Sequence, residues 1–360
     1  MILPAVKPQT MPDSRVYILG AGCSKDCGYP LGPKMKDDLE RFGRSLDPAT
    51  SPRLLKAVKD TVDLLVGTTD TVDILVQKLY GGHLDSQIGG NQNRHPCVVL
   101  ATLATAAAFL AKEPAARQTG LKQYREFISD LFPGAESRWP WQPPTKNRHV
   151  LTFNYDRLFE MAFLDRFQIS PYGLYDIKVL NSGVTLPGID IEFEPENFSF
   201  LKLHGSVGAW TIDFTGMGHP SHQQSHFEPL PPTSPKLKST MTTFLMPSIR
   251  ALLRDPRILY FPFHRQFILS SQSGFAFDKY VRGVWTRAYE LIANATEIRV
   301  IGYSFAGIDR GPVLDMIETA SDCRRLIIQG PDAERICARL RLDRPELRDL
   351  IEPAPFKFWR

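Results

Sequence analysis

Short apolar runs that stop at small or polar residues recur along this chain, separated by longer stretches whose apolar positions repeat at helical spacing. Arg15 to Gly20 is rich in β-formers and ends in glycine. His149 to Phe153, Phe198 to Leu203, Arg257 to Phe261, Ile298 to Gly302 and Leu326 to Gly330 have the same character. Each predicts a short, buried strand. Ser24 can cap the segment after the first of them, and Pro33 to Phe42 predicts a helix. From Leu54 to Leu131 the pattern turns helical: Leu54, Val58, Val62 and Leu65 share one face, and Ile74, Leu75 and Leu79 lie in a second run. The polar, glycine-bearing stretch Gly81 to Asn93 predicts a loop before an Ala-rich helix. Pro133 to Pro144 reads as a connection and Gly216 to Lys238, rich in Pro, Ser and His, as a long loop.

Strands joined by helical crossovers predict a doubly wound, mostly parallel α/β sheet of Rossmann type with an inserted helical layer. The expected organisation is a tail at 1–14, a sheet domain from 15–45 and 148–330, a helical insertion at 46–147 and a helical C-terminal segment at 331–360. No internal repeat is visible.

Composition narrows the class without naming it. Hydrophobic residues at 43% and charged residues at 23% fit a globular chain of 360 residues with a sizeable core. The net charge of +4 comes from 43 basic and 39 acidic residues that are well mixed. That balance gives no support for a dedicated nucleic-acid surface, and no direct sequence-specific nucleic-acid binding is expected. The arginines from Arg324 to Arg348 are interleaved with Asp332, Glu334, Asp343 and Glu346 and read as a solvated face. The longest apolar run, Cys97 to Ala111, is shorter than the roughly 20 residues a membrane span needs. Five cysteines with no CxxC and no signal peptide fit a reducing cytoplasm.

Candidate chemistry sits where the predicted strands end, the edge at which open parallel sheets bind ligands. Gly20, Ala21, Gly22, Cys23 and Ser24 follow the first strand; a GxG turn admits a pyrophosphate beside a helix N-terminus, and equally serves as a plain structural turn. The third glycine of GxGxxG is replaced by Lys25, and no Walker A motif occurs. Asn154 and Asp156 follow the second run; an Asn there can orient a ribose hydroxyl or a water, and Asn-x-Asp is also a common turn. His204, ahead of Gly205 and Ser206, offers an imidazole that accepts a proton near neutral pH. Gly302, Tyr303 and Ser304 end a further strand, where they can hold the ribose or adenine end of a dinucleotide; Asp309 and Arg310, close behind, form either an ion pair or part of the pocket. His219, His222 and His226 have ligand-like spacing but lie in a loop without cysteine, so no metal site is expected. No GxSxG elbow supports a serine hydrolase.

At these residues the chain resembles the sirtuin superfamily, and more closely its bacterial NAD-hydrolysing branch. Gly20 to Ser24 is similar to the sirtuin GAGxS loop, Gly28-Tyr29-Pro30 to its GIP, and Thr152 to Asp156 to its TQNID segment. Leu203 to Ser206 resembles LHGS, and Gly302 to Ser304 resembles GTS, in the same order along the chain. The resemblance implies Asn154 and His204 as catalytic residues. It implies Gly20, Ala21, Gly22, Cys23, Ser24, Asp156, Gly302, Tyr303, Ser304 and Asp309 around an NAD substrate.

Three departures bear on the activity. No cysteine lies between His204 and Cys323, so the four-cysteine zinc module of sirtuin deacylases is missing. Phe153 stands where the family has Gln, and the Asp-Phe-Arg after GIP is absent. The implied activity is therefore NAD glycohydrolysis, as in toxic effectors of anti-phage defence, with homo-oligomers and a separate regulatory partner such as an ATPase. A deacylase that consumes NAD with an acylated peptide, and a non-catalytic NAD or ADP-ribose sensor, are the alternatives.

Overall fold

The computed structural model describes residues 13–49, 52–66, 68, 74, 96–133, 147–167, 177–180, 190–193, 198–204, 209–212, 226–229, 276–306 and 309–355. The chain starts the sheet with β1 (Arg15–Leu19), then runs through the four-residue α1 (Gly22–Lys25), α2 (Met35–Ser45), α3 (Pro52–Leu65) and the 36-residue α4 (Pro96–Leu131). Next come β2 (Arg148–Thr152), α5 (Leu158–Phe167), the antiparallel pair β3 (Ile177–Leu180) and β4 (Asp190–Phe193), and β5 (Phe200–Lys202). A second antiparallel pair, β6 (Ala209–Ile212) and β7 (His226–Pro229), precedes α6 (Ala276–Ala293) and β8 (Glu297–Ile301). The chain then forms α7 (Arg310–Glu318), β9 (Arg325–Gln329), α8 (Ala333–Asp343) and β10 (Ile351–Ala354).

Six strands form one parallel sheet in the order β10-β9-β8-β1-β2-β5. Numbered by appearance within the sheet, that is 6-5-4-1-2-3, the Rossmann order, with its switch point between β1 and β8. The fold class is therefore the α/β, doubly wound, Rossmann-like one read from the pattern. Successive side chains of β1 go to opposite faces: Tyr17 and Leu19 into one core, Val16 and Ile18 into the other. Both faces are covered, which is why the strand is apolar at every position after Arg15.

The first core is walled by α2 to α5. There Phe159 stacks on Phe200 at 4.4 Å and Phe132 meets Phe198 at 4.9 Å. Each fully buried phenylalanine contributes roughly 1.5–3 kcal/mol relative to exposure, so this cluster fixes the short β5 against the helices. The second core is walled by α6, α7 and α8.

From residue 331 the chain, expected to be helical, forms a helix over Ala333–Asp343 and a 3-10 turn at Pro345–Leu347, and Ile351–Ala354 adds the sixth strand beside β9. Its Glu352 and Pro353 break the apolar pattern, which an edge strand tolerates because one side of its backbone needs no partner. The stretch 216–238 contains β7 rather than loop alone. Its pairing with Ala209–Ile212 has no local signal in the sequence. The expected strand at 257–261 and the runs at Ile74 to Asn93 and 134–144 lie almost wholly outside the described residues. The C-terminal arginines hold carboxylates: Arg344 bonds Asp315 and Glu318, Arg335 bonds Asp332, and Arg310 bonds Asp343. Among the described residues no helix is long and apolar enough to cross a membrane.

Candidate active site

The turns after β1 and β8 meet at the switch point, and glycine is what lets them meet. A Cβ on Gly20 would lie 2.5 Å from the Tyr303 Cα, and one on Gly22 2.7 Å from the Gly302 carbonyl oxygen. Gly302 itself sits in the left-handed region (φ 63°), where its own Cβ would meet the Cys23 nitrogen at 2.6 Å. Hydrogen bonds close the seam: Gly20 N–H donates to the Ile301 carbonyl and Gly22 N–H to the Gly302 carbonyl, both at 2.9 Å. The glycine spacing thus serves backbone-to-backbone packing. Cys23 N–H and Ser24 N–H are also spent within the turn, on Gly20 and Ala21. Cys23 Sγ donates to the Ile301 carbonyl at 3.0 Å, and burial pushes its thiol well above the usual range, so it stays protonated. What this seam leaves open to solvent are Ala21 and Ser304, one on each turn, with Gly22 and Gly302 half-buried between them.

β2 and β5 end at the same edge, two residues before Asn154 and His204 respectively (Thr152 pairs with Lys202). Asn154 is buried, and its Nδ2 donates to Ser24 Oγ at 3.3 Å. Ser24 Oγ is also within 2.9 Å of the Tyr124 hydroxyl on α4, and it hydrogen-bonds Asp156. The Ser24 hydroxyl therefore braces Asn154 from beneath. Asp156 accepts the Leu158 N–H at 3.1 Å and so starts α5. Burial raises its pKa, opposed first by the Lys202 charge and then by these hydrogen bonds. Lys202 Nζ bonds Glu160 at 2.7 Å and the Asp156 carbonyl, all three residues being buried. Arg157 makes two hydrogen bonds to Glu113 of α4, at 2.7 and 2.8 Å. Asn154 thus projects from a turn held on three sides, yet its Oδ1 is buried with no hydrogen-bond partner among the described residues. A buried amide oxygen in that state is costly unless something binds it, which marks where a ligand's donor belongs.

His204 lies against both neighbours of Asn154. Its ring meets Phe153 edge-on at 4.9 Å and Tyr155 at 6.0 Å. Phe153 stacks in turn on Tyr303 at 4.8 Å, joining the β2, β5 and β8 ends through aromatic contact. Trp285 Nε1 of α6 donates to the Leu203 carbonyl at 3.2 Å and steadies the chain just before the histidine. His204 Nε2 stands 2.9 Å from Asp309 Oδ2, with both side chains largely buried. Tyr303 Oη is buried without a hydrogen-bond partner; burial, helped by the Asp309 charge, raises its pKa so that it remains a hydroxyl.

All four motifs therefore converge. Gly20 to Ser24 touches Gly302 and Asn154, the Asn154 segment touches His204, and Tyr303 and Asp309 touch Phe153 and His204. Gly205 and Ser206 lie outside the described residues, as do His219 and His222; of His226 only the backbone, in β7, is described. Among the described residues no three His, Cys, Asp or Glu side chains group as a metal site. Sequence reasoning missed Tyr124, Lys202, Glu160 and the Arg157–Glu113 pair. Lys202 had a readable signal, a lysine inside an otherwise apolar strand; the others carry none.

The arrangement supplies a buried amide acceptor, an imidazole paired with a carboxylate, and two small exposed residues, Ala21 and Ser304, on adjoining turns. That is a set suited to holding a polar ligand and moving one proton.

No protein-family model matches the sequence, and no curated protein matches it. Among solved structures, one described as "Structural Basis for the Mechanism and Regulation of Sir2 Enzymes" aligns with 96% of this chain and 88% of its own, at 11% identity and a TM-score of 0.33. A likeness that loose carries no argument here.

Proposed function

We propose that this chain is an NAD glycohydrolase that cleaves the nicotinamide–ribose bond. The observation that carries the reading is the convergence of Asn154, with its unpartnered buried Oδ1, and His204 at one edge of a sheet in Rossmann order. Dinucleotides lie across that crevice in sheets of this order. Ala21 and Ser304 are exposed on the two turns at the switch point, and their small side chains suit the approach of a pyrophosphate or ribose. Asn154 Oδ1 would accept from a ribose hydroxyl or from the attacking water, and His204 would take the proton.

The bond that breaks joins ribose C1′ to the pyridinium nitrogen, whose electron pair leaves with neutral nicotinamide. The water oxygen bonds C1′ and its proton passes to the imidazole, then to solvent, giving ADP-ribose. The absence of cysteine between His204 and Cys323 favours hydrolysis over peptide deacylation, since the four-cysteine module of deacylases has no counterpart. The same resemblance supports a role in anti-phage defence by NAD depletion, in a homo-oligomer restrained by a separate protein.

The test is NAD consumption by purified protein with no peptide added, following nicotinamide and ADP-ribose. Wild type should release both, and His204→Ala and Asn154→Ala should lose about 10²–10⁴-fold in rate, the scale of general base catalysis. Nicotinamide release only with an acylated peptide would mean a deacylase. Tight NAD binding without turnover would mean a sensor, and no NAD binding would end the nucleotide reading.

A further inference from the structure

Asp309 stands at the N-cap of α7, the position where an aspartate ordinarily accepts a backbone N–H of the first turn. Here it makes no such bond: the residue contributes its backbone carbonyl to Val313 N–H at 2.9 Å, while its carboxylate reaches His204. A preferred cap residue that leaves its helix uncapped marks a local rule overridden for another purpose.

The surroundings fix that choice. Phe305, just upstream, adopts a left-handed backbone (φ 49°), unusual for an aromatic residue. Arg339 of α8 clamps the turn by donating to the Ser304 and Phe305 carbonyls, both at 2.8 Å. Tyr289 of α6 donates to the Pro312 carbonyl at 3.3 Å and pins the first turn of α7. The Phe153 edge closes another side of the imidazole.

We infer that Asp309 is a positioning residue for His204, holding its proton on Nε2 and its basic electron pair on Nδ1. A carboxylate at hydrogen-bond distance from one ring nitrogen favours hydrogen on that nitrogen, and in the neutral imidazole the other is then the proton acceptor. When Nδ1 takes the proton from water or a ribose hydroxyl, the positive imidazolium sits beside a fixed negative charge, and no group has to move. Asp309 would then act through His204 rather than on the nucleotide. The kinetic part of this inference rests on the hydrolase reading; the tautomer does not.

The experiment uses the full chain labelled with ¹⁵N-histidine, with His204 signals identified by their loss in His204→Gln. Asp309 and Tyr155 stand against this ring and Tyr303 stands near Asp309, so Tyr303→Phe serves as a second comparison. Wild type should show a protonated Nε2 and an unprotonated Nδ1 in mildly alkaline buffer, unchanged in Tyr303→Phe. Asp309→Asn should give mixed or reversed tautomers, and kcat for NAD should fall on the order of 10²-fold or more with KM little changed. Asp309→Ser, which restores a good cap, should unfold no earlier than wild type yet lose the same activity and tautomer. An unchanged tautomer in both variants would overturn the inference, as would kcat unchanged in an active hydrolase. A tautomer set by Asp309 in a protein that never consumes NAD would uphold it and end the hydrolase reading instead.

Discussion

Substituting Gly302 by alanine tests the seam on which the site is built. The added Cβ would lie 2.6 Å from the Cys23 nitrogen and 2.9 Å from the Gly22 carbonyl carbon, where ordinary contact begins at 3.4 Å. The two turns would have to part by about 0.8 Å, because the two nearest atoms are backbone and rotation of the Cys23 side chain, 3.1 Å away, does not relieve them. A left-handed φ of 63° adds about 1–2 kcal/mol for any residue with a Cβ. Over-packing adds about 1–3 kcal/mol. The expected loss is about 2–5 kcal/mol, a large part of the roughly 5–15 kcal/mol that holds most domains together. Gly311 is the comparison: it lies in the first turn of α7 with nothing within 4 Å of a built Cβ. Alanine there should stabilise by up to about 1 kcal/mol. Urea unfolding of both variants, followed by fluorescence and circular dichroism, gives the two changes directly. If Gly302→Ala and Gly311→Ala unfold within about 0.5 kcal/mol of each other, the close approach of the turns is not what the glycines are for.

Three further expectations concern the buried polar groups. Burial, with repulsion from Arg287, lowers the His149 pKa to about 4, and its Nδ1 accepts the Ser199 N–H at 3.2 Å. The folded chain therefore keeps this imidazole neutral while the unfolded chain takes up a proton below about pH 6.5. Its stabilisation is complete above pH 6.5 and is lost as pH falls to 4, roughly 3 kcal/mol in all. Stability of His149→Gln, measured across that window, should depend less steeply on pH; an identical slope would contradict the assignment. Lys202→Met leaves the buried Glu160 and Asp156 without their cation and should cost about 3–5 kcal/mol in urea unfolding, with a loss under about 1 kcal/mol as the contrary result. Arg157→Met and Glu113→Leu should each cost a similar amount, while the double variant should recover most of it. Simple additivity of the two would show that the pair is not coupled.

Much of the fold was legible because parallel strands buried on both faces advertise themselves as apolar runs. Five of the predicted runs coincide with β1, β2, β5, β8 and β9 to within a residue or two at each end. The motifs were legible for a related reason: residues just past a strand end share one edge whatever the helices between them do. What the sequence did not carry was the partner of each group. Asp309 looked like a residue near the nucleotide, and only the geometry shows its carboxylate turned from its own helix to His204. Ser24 likewise read as part of an NAD-binding loop, and only the geometry shows Tyr124, a hundred positions away, drawing its hydroxyl into the support of Asn154. β10 was missed because Pro353 and Glu352 obscure a strand whose register is set by β9 alone.

The place of β1 in the sheet has a consequence for how the protein is made. It is the strand between β2 and β8, yet it leaves the ribosome before either, and 133 positions separate Leu19 from Thr152 while 278 separate Cys23 from Ile301. At about 5–20 residues per second, the second interval lasts roughly 15–60 s. During that time Val16 to Leu19 form an apolar segment with at least one unpaired backbone edge, which is the kind of surface chaperones and aggregates both recruit. The Gly22–Gly302 contact and the His204–Asp309 pair can be made only after that interval. The site thus has no partially built form that resembles it: it comes into being only when β8 and the start of α7 have joined a strand synthesised long before.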